Sequence, residues 1–192
     1  VWMAENLKVT HYNNGDAIPT DTTLISWMDD EYVVYNNDLS NINDYGNLYN
    51  WNAVTDVREI CPAGFHVPSD EEFNILGNYL GAGNGGKLKE IGTEHWHSPN
   101  TGATNETQFT ALPGGESLIL EYSNGWIMDF SSMGEIGYFW TKSWIEDEYY
   151  NGPDWQNPVY YGLSYHSDYL YRMWNTSYLH KLRKFSVRCL KD

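Results

Sequence analysis

The sequence predicts an α+β fold with mixed, small antiparallel sheets, long irregular loops and one main helix at about residues 69–80. The composition favours strands and turns, because nine Trp and sixteen Tyr accompany many Asn, Gly and Ser, whereas Ala and Lys are scarce. Helix signals agree in one stretch, SDEEFNILGNYLG, and strand-like runs fill the last third of the chain. A length of 192 residues suits a single domain over residues 1–192.

The first quarter of the chain predicts a short strand, a turn and a long surface loop. The opening run WMAENLKV has the mixed character of a short strand, and NNGD after it is typical of an Asn-Gly turn. Because this strand starts at Val1 without a preceding turn, we expect its first part to lie outside the sequence. Residues 20–45 alternate acidic, aromatic and Asn residues, which predicts a surface loop. YGNLYNWNAV (45–54) is apolar enough for a buried strand or short helix.

The main helix is predicted by signals at both of its ends. Ser69 is a good N-cap, and Glu72 three residues later completes a capping box. Gly81 supplies the C-terminal stop. The apolar residues between these ends recur at helical spacing. They are Phe73, Leu76 and Leu80.

The segment after the helix is rich in glycine and then in strand-like runs. GAGNGGKLKEIG (81–92) predicts a loop, and the absence of a GKS or GKT sequence argues against a phosphate site. From TEHWHSPN onward the pattern predicts loop, strand and loop. Four runs near the end predict strands, with Ser167 and Asp168 at the tip of a hairpin. They are GYFWTKSW, PVYYGLSYH, YLYRMWNT and KFSVRCL.

Charge and hydropathy exclude several classes of partner. The formal net charge is −15 at pH 7, which argues against nucleic acid and anionic membranes, because both need a Lys/Arg surface. No run approaches 18 apolar residues, so we expect no membrane insertion. No signal segment begins at Val1, so an exported protein would carry its signal outside this sequence.

The two cysteines are far apart, which excludes a CxxC redox pair and a zinc knuckle. One long-range disulfide in an oxidising compartment is the economical interpretation. Two free thiols in a reducing compartment remain the alternative.

Several phrases together resemble one bacterial family. In order they are WMAENLKV, YGNLYNW, CPAGFHVPSDEEF, GGKLKEIG, ATNETQFTALPGG, FWTKS and FSVRCLKD. This order is similar to that of the Fibrobacter succinogenes major paralogous domain family, over residues 2–191. The resemblance implies a C-type lectin-like fold, related to that of formylglycine-generating enzymes, with paired termini, a helix beside them and ligand contacts on long loops.

The resemblance also implies a setting. Members of the family are exported or attached to the surface of bacteria, often as one module of a larger protein. It further implies that Cys61 bonds Cys189, which would tie the corner before the helix to the end of the chain. We therefore expect an extracellular or cell-surface location.

Catalytic and metal sites find little support in the sequence. Cys61 and His66 lie on one short corner with a proline between them, a poor setting for a thiolate and its base. His95 and His97 could share one strand face, but no third ligand follows at a fixed spacing. We therefore expect no enzyme activity, no cofactor and no metal. Oxygen-rich IEDEYYNGPD (145–154) leaves open a structural calcium ion near Asp147, Glu148 and Asp154.

Residues 144–178 carry the strongest functional signal, a dense set of aromatic side chains among short polar ones. Strand alternation in PVYYGLSYH places Tyr161 and Tyr165 on one face and Tyr160 on the other, so one face is core. Periodicity does not decide which face that is. The candidate ligand-binding residues are Trp155, Tyr160, Tyr161, Tyr165, Tyr169, Tyr171, Trp174, Asn175 and Tyr178.

These residues predict a non-enzymatic binding module whose partner is a glycan or a surface protein. Aromatic faces flanked by short polar side chains suit sugar rings, and Tyr/Ser/Asn-rich loops equally suit protein surfaces. A display module without a fixed ligand is the alternative. An enzyme acting on exported proteins is the least supported possibility.

Overall fold

Strands dominate the secondary structure. The computed structural model describes residues 1–20, 29–123, 125–146, 156–174 and 182–192. Within these residues the strands are β1 (Tyr32–Val33), β2 (Leu48–Asn50), β3 (Phe65–His66), β4 (Gly114–Tyr122), β5 (Gly125–Met133), β6 (Ile136–Glu146), β7 (Gln156–Ser164), β8 (Tyr171–Trp174), β9 (Lys184–Phe185) and β10 (Leu190–Lys191).

Within the same ranges the helices are few and mostly short. They are α1 (Ile42–Tyr45), α2 (Trp51–Thr55) and α3 (Asp70–Leu80), with 3-10 turns at Tyr35–Asn37 and Leu39–Asn41. Helix α3 confirms the prediction for residues 69–80. Ser69 and Glu72 form the capping box, and Gly81 ends the helix at a φ of 68°.

The larger sheet has the strand order β1-β2-β9-β4-β6-β7-β8, and β5 pairs with β4 beside this path. Its pairs are antiparallel except for β4 and β6, which run parallel through the Gly115–Gly137 pair. Strands β3 and β10 form a second, two-stranded sheet. The structure is therefore mostly sheet with few helices, which agrees with the predicted α+β class, but the eight-stranded sheet is larger than the small sheets that the sequence predicted.

The predicted disulfide is present. Cys61 and Cys189 are joined across a sequence separation of 128 residues, and both are buried. The bond links the corner before α3 to the segment that enters β10.

The two ends of the chain lie side by side. Trp2 bridges to Leu190, and the Met3 amide donates to the Cys189 carbonyl at 3.0 Å. Arg188 is buried beneath this pairing, where its guanidinium donates to the Asn6 side chain and to main-chain carbonyls. The opening run WMAENLKV forms one bridge, at Trp2, rather than the predicted strand, and its backbone bends at residues 4–5.

Two apolar cores lie on opposite faces of the β6–β7 pair. The first surrounds the disulfide and includes Trp140, Tyr160 and Phe185. The second lies under α3, where Phe73 stacks on Tyr161 with 4.5 Å between ring centroids. Strand β7 is consequently buried on both faces.

Two sequence-based predictions need correction. Residues 20–45 are not a surface loop throughout, because β1 pairs with β2 and carries Val33 into a small third core. Residues 114–133 form a long β4–β5 hairpin where we predicted one strand between loops. The sequence YSNGW contains an Asn-Gly dipeptide, which is a hairpin signal that would have indicated it.

The four predicted late strands are confirmed, with one difference. KFSVRCL divides between two sheets, since Phe185 pairs with Tyr49 of β2 whereas Leu190 pairs with His66 of β3. Among the described residues, no helix combines the length and the apolar character that crossing a bilayer requires.

Candidate functional site

The aromatic region centres on the hairpin formed by β7, a loop at 165–170 and β8, the last strand of the sheet path. The register pairs Gly162 with Tyr171 and Val159 with Trp174. Three of the predicted contact residues, Trp155, Asn175 and Tyr178, lie outside the described residues.

Two predicted contact residues belong to the core. Tyr160 is 6% exposed and packs against Trp140 and Phe185, and Tyr161 is 2% exposed beneath α3. Their burial corrects the predicted contact set, because neither ring reaches the surface. The reason is that β7 is an interior strand with a core on each face.

Three other aromatic side chains of the hairpin are exposed. Tyr169 is 60% exposed, Tyr171 44% and Trp174 49%. Tyr165 is only partly exposed, since it packs against the second core with its edge toward His97 and His166.

The exposed rings do not form one platform. Cross-strand partners share a face, so Trp174 lies on the α3 face with Val159, whereas Tyr171 lies on the opposite face with Gly162. Tyr169 accompanies Tyr171, with 6.4 Å between their centroids and 59° between their planes.

On the α3 face, Trp174 lies beside a fixed ion pair. The Arg172 guanidinium lies 5.4 Å from the centre of the Trp174 ring and donates twice to Asp70, at 2.7 and 2.8 Å. The Tyr161 hydroxyl also donates to Asp70, at 2.8 Å. The Arg172 hydrogen bond holds the pKa of Asp70 below its usual value, against the opposing effect of burial.

The loop at 165–170 is held from beneath by a buried lysine. Lys89 is 0% exposed, and its ammonium donates to the carbonyls of Thr101, Ser164 and Ser167, each at 2.9 Å. Burial lowers the pKa of Lys89 to about 8, and the Asp168 carboxylate opposes that shift.

The glycine-rich loop at 81–86 packs against the same hairpin loop. A Cβ atom at Gly85 would collide with the main chain of Tyr169, and one at Gly102 would lie 2.6 Å from the Asp168 Cβ. The Gly86 amide donates to the Asp168 carbonyl at 3.0 Å. The glycines thus allow close contact between loops, which accounts for them without a phosphate.

These contacts present what we call the tyrosine surface, made of Asp168, Tyr169 and Tyr171, with the buried Ser167 beneath it. The Ser167 hydroxyl lies 2.7 Å from the Tyr171 hydroxyl and accepts from the Tyr169 amide at 3.2 Å. The Asp168 carboxylate is half-buried and makes no hydrogen bond with any described residue. The surface therefore combines two exposed rings with an acidic acceptor on a loop fixed from below.

The whole chain can be compared with known protein families. The sequence matches the model of the Fibrobacter succinogenes major domain over residues 1–191. The chain belongs to this family. No curated protein and no solved structure matches it.

In this Fibrobacter succinogenes major domain the two histidines of the HxH pair have separate partners. His95 Nδ1 lies 2.9 Å from Glu90 Oε2, whereas His97 faces Glu135 at 3.8 Å. Nowhere in the described ranges do three His, Cys, Asp or Glu side chains converge as metal ligands. The residues named for structural calcium, Asp147, Glu148 and Asp154, lie outside those ranges.

Sequence reasoning missed the residues that support this surface of the Fibrobacter succinogenes major domain. Lys89 follows Leu88, and both are buried, although a lysine beside an apolar residue is normally solvent-exposed. By local pattern alone, Asp70 belongs to the start of the helix SDEEFNILGNYL and Arg172 to the strand YLYRMWNT. No local signal links either residue to the hairpin, because their contact spans a separation of 102 residues.

Proposed function

We propose that this domain is a non-catalytic module that binds an uncharged glycan through the tyrosine surface. The observation that carries the proposal is the exposed pair Tyr169 and Tyr171, with ring centroids 6.4 Å apart. Tyr169 lies on the loop at 165–170, which buried contacts fix, and Tyr171 begins β8. Exposed rings on a rigid support indicate a contact surface, because aromatic area in water is costly to maintain without a partner.

The chemistry of the surface supports a sugar. The C–H face of a pyranose ring packs well on an aromatic ring, and its hydroxyls need acceptors nearby. Asp168 supplies such an acceptor, and the Tyr171 hydroxyl, which is held by the buried Ser167, can donate or accept. The net charge of −15 disfavours an anionic glycan.

The proposed setting is outside the cell, and the proposed fold is C-type lectin-like. The disulfide supports export, because such bonds persist in oxidising compartments. It also leaves neither cysteine as a thiolate for nucleophilic chemistry. The paired ends, the helix packed beside them and the long loops support the lectin-like arrangement.

The test is a screen of neutral oligosaccharides, followed by titration of the best binder. Tyr169→Ala and Tyr171→Ala should each raise Kd by about tenfold, which corresponds to ~1.4 kcal/mol. Tyr79→Ala is the matched control, because Tyr79 is 86% exposed on α3 and should leave Kd unchanged. Trp174→Ala tests the opposite face of β8 and should also leave Kd unchanged.

Two outcomes contradict the proposal. If no neutral oligosaccharide binds at millimolar concentration, the module does not recognise such glycans. If one binds with equal affinity to the wild type and to the Tyr169→Ala, Tyr171→Ala double variant, the tyrosine surface is not the site. If a protein ligand bound instead, and the same substitutions abolished its binding, the tyrosine surface would still be the binding site but its ligand would be a protein.

A further inference from the structure

We propose that Lys89 is the positioning residue of the tyrosine surface. Its buried ammonium holds the loop at 165–170 in the conformation that binds the ligand. The effect of Lys89 on affinity rests on the function proposed above. Its effect on loop order does not depend on any ligand.

The first step is the geometry around the ammonium. An ammonium has three donors, and all three are used by carbonyl oxygens at 2.9 Å. The Trp96 ring lies 5.3 Å from Nζ and closes the site from a further side. Water has no access, since the side chain is fully buried.

The second step is where those carbonyls lie. Ser164 and Ser167 bracket the turn between β7 and β8, and Thr101 belongs to the neighbouring loop. One cation therefore fixes both sides of the turn and ties it to a second loop. Without the cation, three carbonyl dipoles would converge on one buried space, where the Ser167 amide, 3.4 Å from the Ser164 carbonyl, would be left as a weak donor to only one of them.

The third step connects the cation to the exposed rings. Ser167 accepts from Lys89 through its carbonyl, and its hydroxyl contacts both Tyr171 and the Tyr169 amide. Any displacement of Ser167 therefore displaces the two rings together. The interaction is local, because the opposite side of the loop is held separately. There the Gly86 amide donates to the Asp168 carbonyl, and the Leu170 amide donates to Asn84 Oδ1.

The test compares Lys89→Met with Lys142→Met, an exposed lysine on β6 whose ammonium makes no ion pair with a described residue. Hydrogen exchange is measured at pH 6, below the Lys89 pKa of about 8, so that the wild-type ammonium is charged. In Lys89→Met the Thr101 and Tyr169 amides, which bond the part of the loop that Lys89 holds, should exchange at least tenfold faster, whereas the Gly86 amide and the amides of α3 should be unchanged. In Lys142→Met neither set should change.

Affinity is the second readout, with the best neutral oligosaccharide of the screen as the probe. Lys89→Met should raise its Kd at least fivefold although Lys89 lies beneath the surface, and Lys142→Met should not. Faster exchange without loss of affinity would overturn the positioning role. Unchanged exchange would overturn the cation's effect on the loop, whether or not any glycan binds.

A measurement on the wild type covers the case in which Lys89→Met fails to fold. At pH 6 the Lys89 ammonium protons should give a resolved, slowly exchanging ¹⁵N-correlated signal with nuclear Overhauser contacts to the Ser167 and Thr101 residues. Surface lysines exchange too fast to give such a signal. If Lys89 behaves like them, its ammonium is not enclosed and the proposal fails.

Discussion

His66 lies between two carboxylates that belong to distant parts of the sequence. Its Nδ1 is 2.6 Å from Asp192 and its Nε2 is 2.9 Å from Glu72, the residue that completes the helix capping box. Both ring nitrogens can donate only when the imidazole is protonated. The hydrogen bond to Asp192, followed by that to Glu72, raises the pKa of His66 above its usual value, against burial and the nearby Lys142.

This pair of contacts predicts a pH dependence of the free energy of unfolding. Because the folded-state pKa is raised, the stabilisation is complete below the unfolded pKa of about 6.5 and is lost as pH rises through the folded pKa. The ring is partly exposed, so solvent screening limits the effect to about 0.2–1 kcal/mol. Urea unfolding of the wild type and His66→Gln at pH 5.5 and 8.5 measures it.

The wild type should exceed His66→Gln in stability at pH 5.5 by more than it does at pH 8.5. His11→Gln is the control, since His11 is exposed and faces no carboxylate among its hydrogen-bond partners. A difference that is larger at pH 8.5 would mean that the neutral imidazole is the stabilising form.

Helix α3 is the element whose ends are defined most sharply by local chemistry. The Glu72 amide donates to Ser69 Oγ at 3.2 Å, and the Ser69 amide donates to Glu72 Oε2 at 2.7 Å. The same helix start carries Asp70, which anchors Arg172 of β8. A frayed first turn would therefore weaken the hairpin as well as the helix.

We expect Ser69→Ala to lower the free energy of unfolding by about 1 kcal/mol, the usual cost of losing a hydroxyl N-cap. Ser69→Thr retains the acceptor and is the matched control, with an expected loss of a few tenths of a kcal/mol at most. Chemical denaturation checks both. Equal losses would show that the hydroxyl does not stabilise this helix.

Two loop positions require glycine for different reasons, and one of them, Gly102, lies in a loop that packs against the hairpin. Gly102 has a φ of +71° and a neighbour, Asp168, that a Cβ atom would overlap. Gly15 has a φ of +92° but open space around it. Alanine at Gly15 therefore introduces backbone strain alone, whereas alanine at Gly102 adds a steric overlap.

Gly102→Ala should consequently cost more stability than Gly15→Ala, by about 1–3 kcal/mol, the typical range for overpacking. Since the overlap involves Asp168, it should also displace the tyrosine surface and weaken glycan binding, which Gly15→Ala should not do. Thermal or urea unfolding, with titration at a temperature where both variants are folded, compares them. Equal losses of unfolding free energy would indicate that the loops of Gly102 and Asp168 can move apart to accommodate the added methyl group.

At the scale of the whole molecule, two kinds of feature could be predicted from the sequence. Some depend on residues close together in the chain, and one is the single disulfide. Capping residues and apolar spacing predicted α3, and the resemblance implied the bond between Cys61 and Cys189. Aromatic density located the hairpin. Each of these signals can be read within a short stretch or from two rare residues.

Other features depend on how distant segments meet, and no local pattern encodes them. Tyr160 and Tyr161 are both buried because α3 covers one face of β7 and the disulfide core covers the other. Trp174 and Tyr171 point to opposite sides because β8 pairs in one particular register with β7. Lys89 is buried because three separate segments supply its carbonyl partners.

The disulfide acts on the largest scale, since it closes a loop of 128 residues between the corner before α3 and the end of the chain. A cross-link of this span restricts the unfolded chain far more than the folded one. We expect the double variant Cys61→Ala, Cys189→Ala to lose about 2–5 kcal/mol of unfolding free energy. The denatured chain should also expand, which raises the urea m-value because more surface is exposed on unfolding.

Urea unfolding of the oxidised wild type and the double variant, both without reductant, measures the two quantities. The double substitution avoids the lone thiol that either single change would leave. Because the bond lies in the first core and the tyrosine surface is supported by Lys89, the folded double variant should bind its glycan with wild-type affinity. A loss below about 1 kcal/mol with an unchanged m-value would place the stabilisation elsewhere, in the packing of the paired termini around Arg188.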